Sequence, residues 1–246
     1  MHKLLDVLSS ALCEEKCRAC NKEICVDVRD SLLTFRAKTR DPTTLCGDCF
    51  QKMEQESALT RIVNVADLAP LLVASRIPYE GPLKKILYHL KYDDDRLVVD
   101  DLSIFLAQAL DRLSKLVRIK NCVLVPVPLH WKRMLKRGFN QAELMANRVG
   151  QAYDLPVDTQ ILRRVRSTST QHQLKKLERK VNVEGAFRAQ PRTTDGKEII
   201  LVDDLLTSGA TLASCASALL AEGALSVNAI TLAYAISSAP CESDIA

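Results

Sequence analysis

Residues 199 to 211 read Ile-Ile-Leu-Val-Asp-Asp-Leu-Leu-Thr-Ser-Gly-Ala-Thr, and this run constrains the fold more than any other segment of the 246-residue chain. Ile199 to Val202 are apolar without a break, the pattern of a strand buried on both faces. The predicted strand stops at two adjacent carboxylates, Asp203 and Asp204. A loop of small residues follows, Thr207-Ser208-Gly209-Ala210-Thr211. A helix then begins, with Leu212, Ala216, Leu219 and Leu220 on one face and Gly223 placed for a left-handed end. Val227 to Tyr234 reads as a second strand. Strand, helix and strand make a βαβ unit, which commits the chain to an α/β fold with a mostly parallel central sheet flanked by helices.

The turn between strand and helix has a chemical use. A loop opening a helix directs unpaired backbone N–H groups outward, and the helix dipole adds partial positive charge there. Gly209 is expected to let the backbone approach a ligand, and the hydroxyls of Thr207, Ser208 and Thr211 can donate as well. With Ala210 they form an anion cradle of phosphate size. Two carboxylates just ahead of it suit neighbouring hydroxyls of a sugar, directly or through a divalent metal. A phosphorylated sugar is the economical ligand for both parts. The loop is expected to be exposed, so that Gly209→Val would remove binding and leave the fold intact.

The run resembles the phosphoribosyl-diphosphate signature of the type I phosphoribosyltransferases: apolar strand, acidic pair, then Thr-x-Gly-x-Thr. That resemblance implies that Asp203 and Asp204 hold the ribose hydroxyls and residues 207 to 211 the 5-phosphate. No Gly-x-x-x-x-Gly-Lys is present in the run, so nucleotide hydrolysis of the Walker type is a poor fit.

Upstream the pattern is also α/β. Leu68 to Ile77 reads as a strand, and Tyr79-Glu80-Gly81-Pro82 as a turn opening a helix whose face is Leu83, Ile86, Leu87 and Leu90. Asp93-Asp94-Asp95 reads as a solvated turn. A longer helix comes next, with Val98, Leu102, Phe105, Leu106, Ala109 and Leu113 on one face. Val123 to Val127 is the next strand. The segment 129 to 139 is basic with interleaved aromatics, and Asn140 to Glu143 is a capping-box pattern. Arg133, Arg137 and that helix start could take up a diphosphate; the alternative is a solvated surface turn. Between 161 and 187, Arg163, Arg164, Arg166, Lys175, Lys176, Arg179 and Lys180 face two acidic residues, Glu178 and Glu184. A closing basic loop, a nucleic-acid contact and a plain surface loop all fit this stretch. His130 and His172 are candidate general bases, though a lone histidine is more often structural.

Nine cysteines require an account, and six lie in the first 49 residues. Cys17-Arg18-Ala19-Cys20 and Cys46-Gly47-Asp48-Cys49 each have the spacing that lets two thiolates reach one metal. Four thiolates suit a structural Zn²⁺ with no open ligand position. Gly47 is expected to permit the tight turn, and Lys16 and Arg18 to offset part of the cluster's charge. Cys13 and Cys25 fall outside the spacing. No apolar stretch approaches the roughly 18 residues of a membrane span, and the N-terminus lacks a signal-peptide core. A cytoplasmic location without membrane insertion is the resulting expectation, and there metal is favoured over disulfides. The net charge of +4, 34 basic minus 30 acidic residues, is too slight to imply nucleic acid by itself.

Taken together the segments resemble the ComF/GntX family of phosphoribosyltransferase-like proteins. The resemblance rests on the four-cysteine knuckle, Tyr79-Glu80-Gly81-Pro82, Leu90-Lys91-Tyr92 and Pro126-Val127-Pro128. It continues through Arg137-Gly138-Phe139-Asn140-Gln141-Ala142-Glu143-Leu144, Gln171, Arg179 and Asn182 to the acidic-pair motif, where Ser208 replaces a common threonine. It implies a type I phosphoribosyltransferase-like α/β domain over residues 60 to 237. A small four-cysteine, zinc-ribbon-like module over 1 to 59 precedes it, and a tail over 238 to 246 ends the chain. It also implies binding of 5-phosphoribosyl 1-diphosphate with Mg²⁺ by these residues, Arg133, Arg137 and Arg179 included. In some members it implies a link to natural competence, with competence proteins or single-stranded DNA as partners. Transfer of phosphoribose, with release of diphosphate, is the leading expectation. A non-catalytic sensor and a DNA-handling adaptor are the alternatives. Acceptor and oligomeric state are not legible.

Overall fold

The computed structural model describes residues 16–24, 44–66, 68–93, 95–166, 185–236 and 244–245. Its centre is a six-stranded sheet built from β1 (Leu59–Val65), β2 (Leu68–Pro78), β3 (Val123–Pro126), β6 (Glu198–Leu206), β7 (Ser226–Tyr234) and β8 (Asp244–Ile245). The spatial order is β3-β6-β7-β2-β1-β8. The pairs β3/β6, β6/β7 and β7/β2 are parallel, while β2/β1 and β1/β8 are antiparallel. A separate ribbon pairs β4 (Leu162–Arg164) with β5 (Phe187–Ala189).

The unbroken apolar run behaves as its composition requires. Ile199, Ile200, Leu201 and Val202 are all fully buried. Ile200 and Val202 enter the cluster on one face of the sheet, and Ile199 and Leu201 the cluster on the other, as a period of two demands. The strand does not stop at the acidic pair. It continues to Leu206, with Leu205 opposite Ala233 and Leu206 opposite Tyr234, because Leu206 still has a core to enter.

Around the sheet the described residues form α2 (Gly81–Tyr92), α3 (Val98–Ser114), α4 (Trp131–Arg137), α5 (Gln141–Tyr153) and α6 (Ala210–Ala221). The expected faces of α2 and α3 are fully buried. On α6, Leu212, Ala216 and Leu219 are buried but Leu220 only partly so. The basic segment expected as a loop forms α4. His130 caps its start by accepting from the N–H of Lys132, and Gly138, with φ of +79°, ends it. Asn140 then locks the start of α5 to the sheet: its Nδ2 donates to the Val127 carbonyl and its Oδ1 accepts from Ala142 N–H.

The cysteine segment, with α1 (Gly47–Glu54), is continuous with this core. Cys17, Leu45, Cys46, Cys49, Phe50 and Met53 belong to the same buried cluster as α2 and α3. Phe50 meets Phe105 with ring centroids 4.9 Å apart. Thr44 donates from both its N–H and its hydroxyl, each at 2.7 Å, to Asp101 on α3. Arg76 closes the end of α1 by donating to the carbonyls of Glu54 and Glu56, satisfying groups that a helix end leaves open.

Candidate functional site

The C-terminal ends of β3, β6, β7 and β2 share one rim of the sheet, the side on which open α/β sheets form ligand crevices. Asp203 and Asp204 lie on β6 close to this rim. Asp204 is only 7% exposed, and its carboxylate pairs with Nζ of Lys91 in the last turn of α2. Burial pushes Asp204 up, but the charge and hydrogen bond of Lys91 outweigh it and hold the carboxyl below its ordinary range. Asp203 goes the other way: burial first, and the negative charge of Asp204 second, raise it well above that range. The Asp204 N–H donates to Asp203 Oδ1 at 2.8 Å, and the two neighbouring carboxyls titrate as a coupled pair.

Beyond the pair, the chain turns into α6 at Gly209, which has φ of +79° and no side-chain cap. The Ser208 hydroxyl accepts from Ala210 N–H only at 3.5 Å, so that N–H is weakly engaged. Thr207, Ser208, Ala210 and Thr211 are partly exposed, but Gly209 is buried. A Cβ there would stand 2.9 Å from both methyl groups of Val63 on β1. Glycine is required by the left-handed backbone and by Val63, and the expectation that Gly209→Val leaves the fold intact is corrected accordingly. The loop is tied to β1 again through Arg61, whose guanidinium donates to the Thr207 carbonyl at 3.3 Å.

Cations line the opposite side. Arg133 and Arg137 are four residues apart and occupy one face of α4. Arg137 lies 5.9 Å from the centre of the Tyr92 ring and donates to Gln141 Oε1. Burial draws its pKa down while Asp204 draws it up. Arg164, expected in a loop, is half-buried on β4 over the Phe187 ring at 5.3 Å. Burial and Arg133 lower its pKa, while Cys215 and Asp203 raise it. Arg163 shares β4, whereas Lys175, Lys176, Glu178, Arg179, Lys180 and His172 fall outside the described residues. The same cations act on His130, whose pKa is lowered by desolvation, then by Arg164, Lys132 and Arg133. Because its Nδ1 accepts from Lys132 N–H, the neutral ring carries its proton on Nε2. It can donate a hydrogen bond from there but is not placed as a base.

Among the described residues, Cys17, Cys20, Cys46 and Cys49 bring their sulfurs within 4.8 Å of one another. A tetrahedron of metal–sulfur bonds near 2.3 Å has edges of about 3.8 Å, and Cys20 and Cys46 are already 3.6 Å apart. Backbone hydrogen bonds outweigh burial at Cys17 and bring it to about 7, whereas burial and the neighbouring thiols raise Cys46 and Cys49. Four thiolates cannot coexist so closely without a cation, so the donor set fits a structural metal. The left-handed turn of the first knuckle is made by Asn21, at φ of +60°, and Gly47 is simply the first residue of α1. Arg18 is engaged elsewhere, with Asp95 at 2.7 Å, which also removes Asp95 from the solvated turn expected there. Cys13 and Cys25 lie outside the described residues.

The family model of the phosphoribosyl transferase domain matches residues 106–244. The DNA utilization protein YhgH of Salmonella typhimurium is 32% identical over 188 residues, 76% of each chain. Competence protein ComFC of Bacillus subtilis is 36% identical over 155 residues, 63% of this chain and 60% of that one. Competence protein F of Haemophilus influenzae is 27% identical over 170 residues, 68% of each chain. The chain belongs to the ComF family of phosphoribosyltransferase-like proteins.

In this ComF-family chain the structure brings Asp203, Asp204, Arg137 and Arg133 into one electrostatic neighbourhood, with the 207–211 loop directly after the pair. It adds Lys91 and Arg164, to which no role was assigned individually. A signal for Lys91 was available: it falls four residues after Leu87 and eight after Leu83, on the buried face of α2. A lysine there needs a buried anion. Arg164 offered none, since its neighbours are equally basic.

Proposed function

We propose that this ComF-family protein binds 5-phosphoribosyl 1-diphosphate on the rim between β6, α6, α2 and α4, and transfers its phosphoribosyl group to a nucleophile with release of diphosphate. The observation that carries this reading is the carboxyl pair with its lysine, set three residues ahead of a hydroxyl-rich loop that opens α6 and facing a bank of arginines. The N–H groups at the start of α6 and the hydroxyls of Thr207, Ser208 and Thr211 take the 5-phosphate. Asp203 and Asp204 accept from the ribose hydroxyls. Arg133 and Arg137, with Arg179 from the basic stretch, hold the diphosphate.

In the reaction the bond from C1 to the diphosphate oxygen breaks, the diphosphate leaves with the electron pair, and the nucleophile bonds to C1. The protein acts by positioning and by stabilising charge on the leaving group. Mg²⁺ carried by the donor would neutralise part of the diphosphate charge. With Asp204 already neutralised by Lys91, the pair suits hydroxyl groups better than a cation of its own. Zn²⁺ in the four-cysteine site would be structural, holding residues 1–59 onto a transferase core that spans 60–237.

Screening nucleobases and small amines for diphosphate release tests transfer. Donor binding without release, for any acceptor, would make the protein a sensor.

A nucleic-acid-handling reading has its own observation. Helix α4 buries none of its residues: Trp131 is 58% and Leu135 76% exposed beside Lys132 and Lys136. The tilted ring pair Tyr88 and Tyr92, 57% and 60% exposed, stands on the neighbouring α2. Exposed rings among cations suit a single strand, and the relatives named for DNA utilization and competence point the same way. Salt-dependent binding of an oligonucleotide, lost in Trp131→Ala, supports it; binding that is absent at low salt opposes it.

A further inference from the structure

The acidic pair does not stand alone at the rim, and the group that completes it comes from a helix more than a hundred residues earlier in the chain. Helix α2 is anchored by Leu83, Ile86, Leu87 and Leu90, all fully buried. Its approach is fixed by Tyr79, whose N–H donates at 2.8 Å to the carbonyl of Tyr234 at the end of β7. That anchorage presents the side chain of Lys91, 18% exposed, to Asp204. A lysine held there has lost most of its hydration, and the carboxylate is its compensation.

We propose that Lys91 is a positioning residue for the donor: its pairing with Asp204 keeps one carboxylate of the pair ionised and fixed at the rim, ready to accept the sugar hydroxyls. The proposal rests on the donor-binding reading for its consequence, but its first half concerns the protein alone. Two adjacent carboxyls, Asp204 buried and Asp203 half-buried, disfavour each other's charge and do not both ionise readily at neutral pH. The charged and titratable groups around Asp204 are Lys91 from α2, Arg137 from α4 and Asp203 beside it on β6. Tyr79, from the turn before α2, acts on Lys91. Around Asp203 they are Asp204, Lys91, Arg164 from β4 and Cys215 from α6. Lys91 is the ion-pair partner of Asp204. Arg137 is turned to Gln141 and Tyr92, and Arg164 lies over Phe187. Lys91 therefore decides which carboxyl is charged. Asp204 is ionised and immobile, and Asp203 is the carboxyl that takes up a proton first.

The sign of the consequence is fixed. Removing the cation raises the pKa of Asp204, so its ionised form, and with it donor binding, is reached only at higher pH. Lys91→Met is expected to move the lower pH midpoint of donor binding upward by at least about 1 unit and to weaken donor binding at pH 7 about tenfold or more. Inorganic phosphate, which meets the loop and not the carboxylates, should bind as before. Lys91→Arg keeps the charge and should restore a midpoint near that of the wild type.

Carboxyl ¹³C NMR titration of the free protein gives a readout independent of any ligand. The wild type should show one carboxyl of the pair ionised into the acid range, and Lys91→Met should show that titration moved upward. Should Lys91→Met not fold, Lys91→Met with Asp204→Asn removes both charges; it is expected to fold and still to bind phosphate in preference to donor. A folded Lys91→Met with unchanged carboxyl titration and an unchanged binding midpoint overturns the proposal. Wild-type protein that shows the expected titration but binds no donor overturns the donor-binding reading and leaves the electrostatic role of Lys91 standing.

Discussion

Single residues at this site answer to more than one constraint. Gly209 adopts φ of +79° and has Val63 behind it. Substitution therefore strains the backbone and displaces a core side chain at once. Gly209→Val should cost about 2–4 kcal/mol of stability, read as a lower denaturant midpoint, and Gly209→Ala less. A measurement showing Gly209→Val as stable as the wild type would mean that the loop is not seated on β1. Asp203 and Asp204 are likewise unequal. Asp204→Asn strands Lys91, whereas Asp203→Asn leaves the ion pair whole, which makes Asp203→Asn the cleaner probe of sugar binding.

Helices and strands show what sequence pattern can and cannot convey. The faces of α2 and α3 and the two-sided burial of β6 were legible because each rests on local periodicity with a single strong solution. Strand β6 outran its expected end because Leu205 and Leu206 had partners on β7 that no local pattern announces. Helix α4 was missed for the opposite reason: it buries no residue, so hydrophobic periodicity is silent, and its two caps decide it. Asp101 on α3 was invisible too, being polar on a buried face. Burial lifts its pKa to about 6 from an ordinary value of 3.8, although the two hydrogen bonds from Thr44 oppose this. Since the folded pKa lies above the unfolded one, the associated stability is present in full below about 4 and is lost as pH rises through 6. Asp101→Asn can still accept from Thr44 and has no such loss. The variant is expected to gain up to roughly 3 kcal/mol relative to the wild type between pH 4 and pH 7, measured as a difference of unfolding free energies so that changes common to both proteins cancel. A gap that does not vary with pH would show that Asp101 does not titrate in this window.

At the scale of the molecule, the cysteine cluster and the central sheet share one buried core among the described residues. The cluster's own side chains enter the buried face shared with α2 and α3, and α2 carries Lys91 to the rim. Removing metal should therefore lower the midpoint of the main thermal transition, not abolish a separate small one. Chelation, or Cys46→Ser with Cys49→Ser, followed by calorimetry checks this. A main transition that stays in place would show the module to be independent of the core. No helix of the described residues is long and apolar enough to cross a membrane. Titration calorimetry with 5-phosphoribosyl 1-diphosphate and Mg²⁺, and separately with inorganic phosphate, tests the donor-binding account most directly when run on the wild type and on Asp203→Asn. The account predicts that the wild type binds the donor much more tightly than phosphate. It predicts that Asp203→Asn loses about tenfold or more in donor affinity while its phosphate affinity is unchanged. No donor binding by the folded wild type with Mg²⁺ present, or an equal loss for both ligands in the variant, would contradict it.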